Sequence, residues 1–132
     1  MSSIICGVVI RGRQLGRRLG FPTANLSPGA TPVTSDGVWA ARVRLDSPDG
    51  AAFDAVANLG VRPSVEGAAQ RLLEVHIFGF EGDLYGRTIE VELVRRLRPE
   101  RCFASREELH AQIERDAKQA QQILNESKTP LI

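Results

Sequence analysis

The sequence predicts a mainly β domain, an antiparallel sandwich or small barrel, backed by one C-terminal helix. Three observations carry this. Short apolar or alternating segments recur between turn-forming residues, which is the pattern of antiparallel strands. The chain changes period after Ser105, where apolar residues fall at helical spacing. Its 132 residues suit one domain, and a hydrophobic share of 42% is enough for a core.

Taken in order, residues 4–10 are β-branched and apolar and read as a strand. Residues 12–26 form a glycine-rich stretch, and residues 27–35, with Pro28, Gly29 and Pro32, a second loop. Residues 37–45 alternate, with Trp39, Ala41, Val43 and Leu45 on one side and Arg42 and Arg44 on the other. Residues 46–50 make a turn, and residues 51–59 return as a strand carrying Phe53 and Val56. Residues 60–70 read as a loop. In residues 72–80, Leu73, Val75 and Ile77 share one face, while Glu74, His76, Phe78 and Phe80 share the other. A turn at 81–83 precedes the strand 88–97, with Ile89, Val91 and Leu93 inward and Glu90 and Glu92 outward. Ser105 and Glu108 have the spacing of a capping box. Leu109, Ile113, Ala117, Ala120 and Leu124 then line one helical face, expected to pack against the sheet or cover one mouth of a barrel. Residues 128–132 are expected to fray.

Composition excludes several classes. No apolar run approaches the ~20 residues of a membrane helix, and the N-terminus has no signal-peptide pattern. Cys6 and Cys102 read as buried thiols rather than a disulfide, and neither has a second ligand at zinc spacing. Net charge is +1 and the pI about 7.9, below the pI of ~9 common in nucleic-acid-binding domains. The charge is unevenly spread. The first 35 residues hold Arg11, Arg13, Arg17 and Arg18 and no acidic residue, so a positive field sits on the glycine-rich stretch.

That stretch, residues 12–26, holds the first chemical candidates. Gly12, Gly16 and Gly20 allow close backbone approach to a ligand, and the arginines offer forked donors to an anion. It lacks the lysine of a Walker A loop. On spacing alone it is either a phosphate-holding loop or a surface turn. Thr23 and Asn25, after Pro22, would face one side if extended, as hard oxygen ligands for Mg²⁺ or as turn-stabilising residues. Glu74 stands mid-strand between apolar residues, with Phe78 and Phe80 on its face. It is either a partly desolvated general base or an ordinary solvent-facing residue. His76 on the same face reads as structural.

Residues 16–26, Gly-Arg-Arg-Leu-Gly-Phe-Pro-Thr-Ala-Asn-Leu, resemble the signature of riboflavin kinases, which occur as the C-terminal module of bacterial bifunctional FAD synthetases. The resemblance continues in Asp36-Gly-Val-Trp39, Ala57-Asn-Leu-Gly-Val-Arg-Pro63, Leu73-Glu-Val-His76, Gly82-Asp-Leu-Tyr-Gly86, Leu97-Arg-Pro-Glu100 and Phe103-x-Ser105, and so covers nearly the whole chain. It implies a six-stranded antiparallel Greek-key barrel with a C-terminal helix, the sixth strand being short or irregular. It implies one domain over 1–132, with the barrel at about 1–97 and a flap and helix at about 98–126. The implied reaction is transfer of the ATP γ-phosphate to the riboflavin 5′-hydroxyl.

The resemblance also assigns roles. Glu74 is the base. Thr23 and Asn25 hold Mg²⁺ and phosphates. Gly12, Gly16, Arg17, Gly20 and Pro22 belong to the ATP side, and Arg98, Glu100, Arg101 and Phe103 to the flavin side. It implies a cytoplasmic protein, a monomer, with small-molecule substrates and without nucleic-acid or membrane partners. In relatives the module is fused to an FMN adenylyltransferase domain. Two departures stand out: Gly79 where many relatives have aspartate, and Arg17 where eukaryotic relatives often have lysine. The rival readings are a flavin- or nucleotide-binding barrel without activity and an RNA-binding β-barrel. Retention of Thr23, Asn25 and Glu74 speaks against the first, and few aromatics and a balanced charge against the second.

Overall fold

The computed structural model describes residues 3–10, 23–27, 36–45, 52–63, 69–80, 84–100 and 103–128. The strands are β1 (Ser3–Val8), β2 (Thr23–Leu26), β3 (Gly37–Leu45), β4 (Ala52–Pro63), β5 (Ala69–Ile77) and β6 (Thr88–Arg98), followed by the helix α1 (Arg106–Lys128). The sheet order is β1-β6-β3-β4-β5-β2, and every pairing is antiparallel. β3, β4 and β5 form a meander, and β6 returns beside β3, which is a Greek key. Beyond the ends of the two outer strands the Ile10 amide donates to the Asn25 carbonyl at 2.8 Å, a bridge that, among the described residues, brings the sheet to a nearly closed barrel.

Alternation sorts the side chains as expected. Ile5, Ala24, Leu26, Val43, Leu59, Leu73, Val75, Ile77, Ile89, Val91 and Leu93 are buried in the barrel interior, with Trp39, Phe53 and Phe80 packed on them. A second apolar layer lies on the outer face. There Val38, Ala40 and Val56 meet Ala120 and Leu124 of α1, flanked by Phe78, Val94, Leu97 and Ile123. The helix therefore lies along the barrel wall over β3, β4 and β6 rather than across a mouth. The Ser105 cap forms, with the Glu108 amide donating to Ser105 Oγ at 3.2 Å, while Glu108 Oε2 reaches one residue past the cap and accepts from the Ala104 amide at 3.2 Å. Farther along the helix, Arg42 reaches from β3 to the Leu124 carbonyl at 3.4 Å, a cation placed toward the negative end of the helix dipole.

Four expectations need correction. Residues 60–70 are not all loop, since β4 continues to Pro63 and β5 begins at Ala69, with Pro63 opposite Ala69. Pro63 sits at the strand's last position, where its missing N–H interrupts nothing beyond it. The Thr-Ala-Asn-Leu segment is not a loop end but the short strand β2. Cys6 is exposed rather than buried, because it lies on the outer face of β1, which the helix does not cover. Phe80 does not share the face of Glu74. A turn at Phe78–Gly79, with Gly79 at φ +74°, breaks the alternation. Phe80 thereby joins the inner layer, edge-on to Phe53 with ring centroids 5.4 Å apart.

Candidate active site

Strand register builds the site. Asn25 on β2 stands directly opposite Glu74 on β5, and Glu74 directly opposite Asn58 on β4. Asn58 in turn faces Val38 on β3, and Val38 faces Arg98 on β6. Directly opposed residues share a sheet face, so these five make one row across the barrel's outer wall. Val38 belongs to the layer under the helix, which fixes the row on the outside. The next row holds Thr23, His76 and Val56.

Each position is held by its backbone. Asn25 is 4% exposed, and its main chain is bonded on both sides, to β5 and to Ile10. Its carboxamide therefore has little room to wander. Glu74 and Asn58 are half-buried, and the Asn58 Oδ1 atom is shut off from solvent without a hydrogen-bond partner. Gly60 lies two residues beyond Asn58, on the same face. A Cβ built at Gly60 would overlap the Glu100 carboxylate, so a glycine here is what lets Glu100 lie against β4 beside the row.

His76 is buried, and burial pushes its imidazole below the usual range, against the opposing pull of the Glu74 and Asp116 carboxylates. It is therefore a neutral ring at pH 7. Asp116, 3% exposed on α1, accepts from Arg98 Nε at 3.0 Å and Nη2 at 2.8 Å, and from Gln112 Nε2 at 2.9 Å. Arg98 also donates to the Pro99 carbonyl at 3.0 Å, and its guanidinium lies 5.8 Å from the centre of the Phe103 ring. The helix thus fixes the last residue of β6, and with it the start of the segment that follows.

Of the residues singled out in the sequence, the structure brings Asn25, Glu74 and Arg98 into one row, with Glu100 beside it and Phe103 on Arg98. Thr23 lies in the adjacent row, opposite His76. Gly12, Gly16, Arg17, Gly20, Pro22 and Arg101 lie outside the described residues. Three residues in this region escaped sequence reasoning. Asn58 carries the same signal as Glu74, a polar residue between apolar strand neighbours, but sat at what looked like a strand end. Asp116 lies three residues after Ile113 and four before Ala120, on the apolar helix face, where a carboxylate signals a buried partner. Gly60, like Asn58, stood in the Ala57–Pro63 motif of the resemblance without a role assigned to it, and otherwise read as a loop glycine.

Among the described residues no three His, Cys, Asp or Glu side chains cluster as a metal cage. A metal here would need amide or hydroxyl oxygens and the ligand's own oxygens. That donor set suits Mg²⁺, which keeps waters and substrate phosphates in its shell.

The flavokinase (riboflavin kinase) family model matches residues 2–124. The bifunctional riboflavin kinase/FMN adenylyltransferase of Haemophilus influenzae is 45% identical over 121 residues, 92% of this chain and 38% of that protein. Several solved structures are similar, among them the following two. One, from Streptococcus pneumoniae and described as a macrolide-efflux protein, has a TM-score of 0.78 and 30% identity, over 89% of this chain and 38% of that one. The other, riboflavin kinase from Trypanosoma brucei, has a TM-score of 0.60 and 19% identity, over 94% of this chain and 80% of that one, and bears on the fold alone. The chain spans less than half the length of the curated relatives it matches.

Proposed function

From a chain that belongs to the riboflavin kinase family, we propose the reaction that the outer row supports best: transfer of the γ-phosphate of ATP to the 5′-hydroxyl of riboflavin, giving FMN and ADP. The observation that carries it is the register that sets Asn25 directly opposite Glu74. A buried carboxamide suited to a metal–phosphate complex thereby adjoins a carboxylate able to take a proton.

Glu74 accepts the 5′-hydroxyl proton as that oxygen bonds to the γ-phosphorus and the bond to the ADP oxygen breaks. Such transfer depends mainly on positioning and charge neutralisation. Asn25, with Thr23, would hold Mg²⁺, which offsets phosphate charge when bound. Asn25 is anchored on both sides, so it holds its end of the site without reorganising. His76, neutral and buried, adds no positive charge beside Glu74 that would weaken it as a proton acceptor. On the flavin side, Arg98, Glu100, Arg101 and Phe103 belong to the segment that closes over the ring system. Arg98 and Glu100 lie on the same wall as Glu74, consistent with one substrate reaching both. The glycine-rich stretch with Gly12, Gly16, Arg17, Gly20 and Pro22 covers ATP.

The same reading makes residues 1–132 one catalytic domain, with a barrel at 1–97 and a flap and helix at 98–126, acting as a monomer in the cytoplasm without nucleic acid. No helix among the described residues is long and apolar enough to cross a membrane. The test is direct: incubate the protein with riboflavin, ATP and Mg²⁺ and separate the flavins by chromatography. FMN is expected; its absence with every divalent metal overturns the proposal.

A further inference from the structure

The Asn58 carboxamide is the unexplained polar group of the wall. Its Oδ1 has neither solvent nor a hydrogen-bond partner. A buried acceptor left unpaired costs stability, and apolar side chains fill the flanking strand positions Ala57 and Leu59 without that cost. Among the described residues, none pairs with that oxygen.

Its place suggests what does. On one side, in register, stands Glu74. Cross-strand neighbours of this kind keep their Cβ atoms about 5 Å apart, so the two polar tips can meet groups one or two carbons apart on one ligand. On the other side, one step along β4, lies Gly60 with the Glu100 carboxylate against it, where the segment after β6 begins. A ligand whose reacting hydroxyl is at Glu74 and whose ring system lies under that segment must pass Asn58 with its linking chain. In riboflavin that chain is a polyol. A hydroxyl both donates and accepts, and a carboxamide offers both an acceptor and donors. Rotation about the Cβ–Cγ bond, a broad two-fold torsion, lets the half-buried side chain present either end.

We propose that Asn58 is a specificity-determining residue whose carboxamide hydrogen-bonds a ribityl hydroxyl one or two carbons from the phosphorylated one. This rests on the kinase reading above. It assigns Asn58 to the riboflavin side of the site, apart from Mg-ATP.

The experiment compares kcat/KM for riboflavin, 4′-deoxyriboflavin and 3′-deoxyriboflavin in the wild-type protein and in Asn58→Ala. Wild type is expected to discriminate against one deoxy analogue by about 10-fold, the worth of one hydrogen bond near 1.4 kcal/mol. Asn58→Ala is expected to lose about that factor on riboflavin, to turn over the same deoxy analogue as well as wild type does, and to leave the KM for Mg-ATP unchanged. A residue that only supports the fold would lower all three substrates together. Asn58→Ser, which keeps a small polar side chain, repeats the comparison if the alanine variant does not fold. Discrimination that persists in the variants, a wild type that treats both analogues like riboflavin, or a change confined to the Mg-ATP KM overturns the inference while FMN formation stands. A wild type that makes no FMN at all overturns the kinase reading itself.

Discussion

Replacing Asp116 by alanine should destabilise the protein by breaking a buried ion pair between the helix and β6. Its carboxylate is almost wholly enclosed, with 5% of the side chain exposed against 18% for Arg98. It accepts two charge-assisted bonds from the Arg98 fork and a third from Gln112. Removing one partner of a buried pair leaves the other charge desolvated, at a cost of about 3–5 kcal/mol. Arg98 retains the Pro99 carbonyl and the Phe103 ring, so the lower end, about 3 kcal/mol, is expected. Urea unfolding at pH 7 would measure it, with unchanged m-values showing that the variant unfolds as the parent does. A loss under about 1 kcal/mol would refute the reasoning, because that is the worth of an exposed pair. The double variant Asp116→Leu/Arg98→Met should recover most of the loss, since an apolar pair of similar volume carries no desolvation penalty. On the kinase reading, both variants should still raise the KM for riboflavin, because each frees the segment that begins at Pro99.

Other outcomes follow from the same wall and helix. Glu74→Gln should bind riboflavin and ATP as before, by fluorescence titration and calorimetry, yet lose about 10²–10⁴-fold in turnover; near-normal turnover would remove Glu74 from the role of base. Ser105→Ala should cost about 1 kcal/mol in thermal or urea unfolding, since it leaves the Glu108 amide without its cap; an unchanged midpoint would show that the capping bond contributes nothing. His76 should make the protein less stable in acid. Its folded pKa lies below the ordinary 6.5, so the unfolded chain takes the proton first. The stability gained from keeping the ring neutral is therefore complete above pH 6.5 and is lost as pH falls below it. Urea midpoints at pH 7.5 and 5.5 should converge in His76→Asn relative to wild type, and an equal drop in both proteins would mean that His76 does not set this dependence.

How far the sequence alone reached can be traced through β2 and β5. In β5 the alternation from Leu73 to Ile77 identified the inward face without ambiguity, because every second residue is apolar and the register leaves no other choice. The helix was equally legible, since its cap and its apolar spacing point to the same start. β2 was not legible as a strand. Four residues following Pro22 carry too little periodicity to separate a strand from a turn, and what makes Thr23–Leu26 a strand is its pairing with β5, nearly fifty residues away. Long-range pairing is what a local pattern cannot express.

The same limit explains the site. Asn25, Asn58 and Glu74 are far apart in the chain, and each alone has an ordinary surface explanation. Only the register of three strands makes them neighbours. The helix adds a second long-range dependence. Asp116 would be a poor choice on an apolar helical face were Arg98 not brought beneath it by β6. The barrel's inner layer is thus written in local alternation, whereas its outer wall, where the chemistry is proposed, is written in pairings between strands. Substitutions inside should accordingly act through packing volume. Those along the Asn25–Glu74–Asn58–Arg98 row should act through hydrogen bonds and charge, changing substrate use more than stability, except where Asp116 ties the row to the helix.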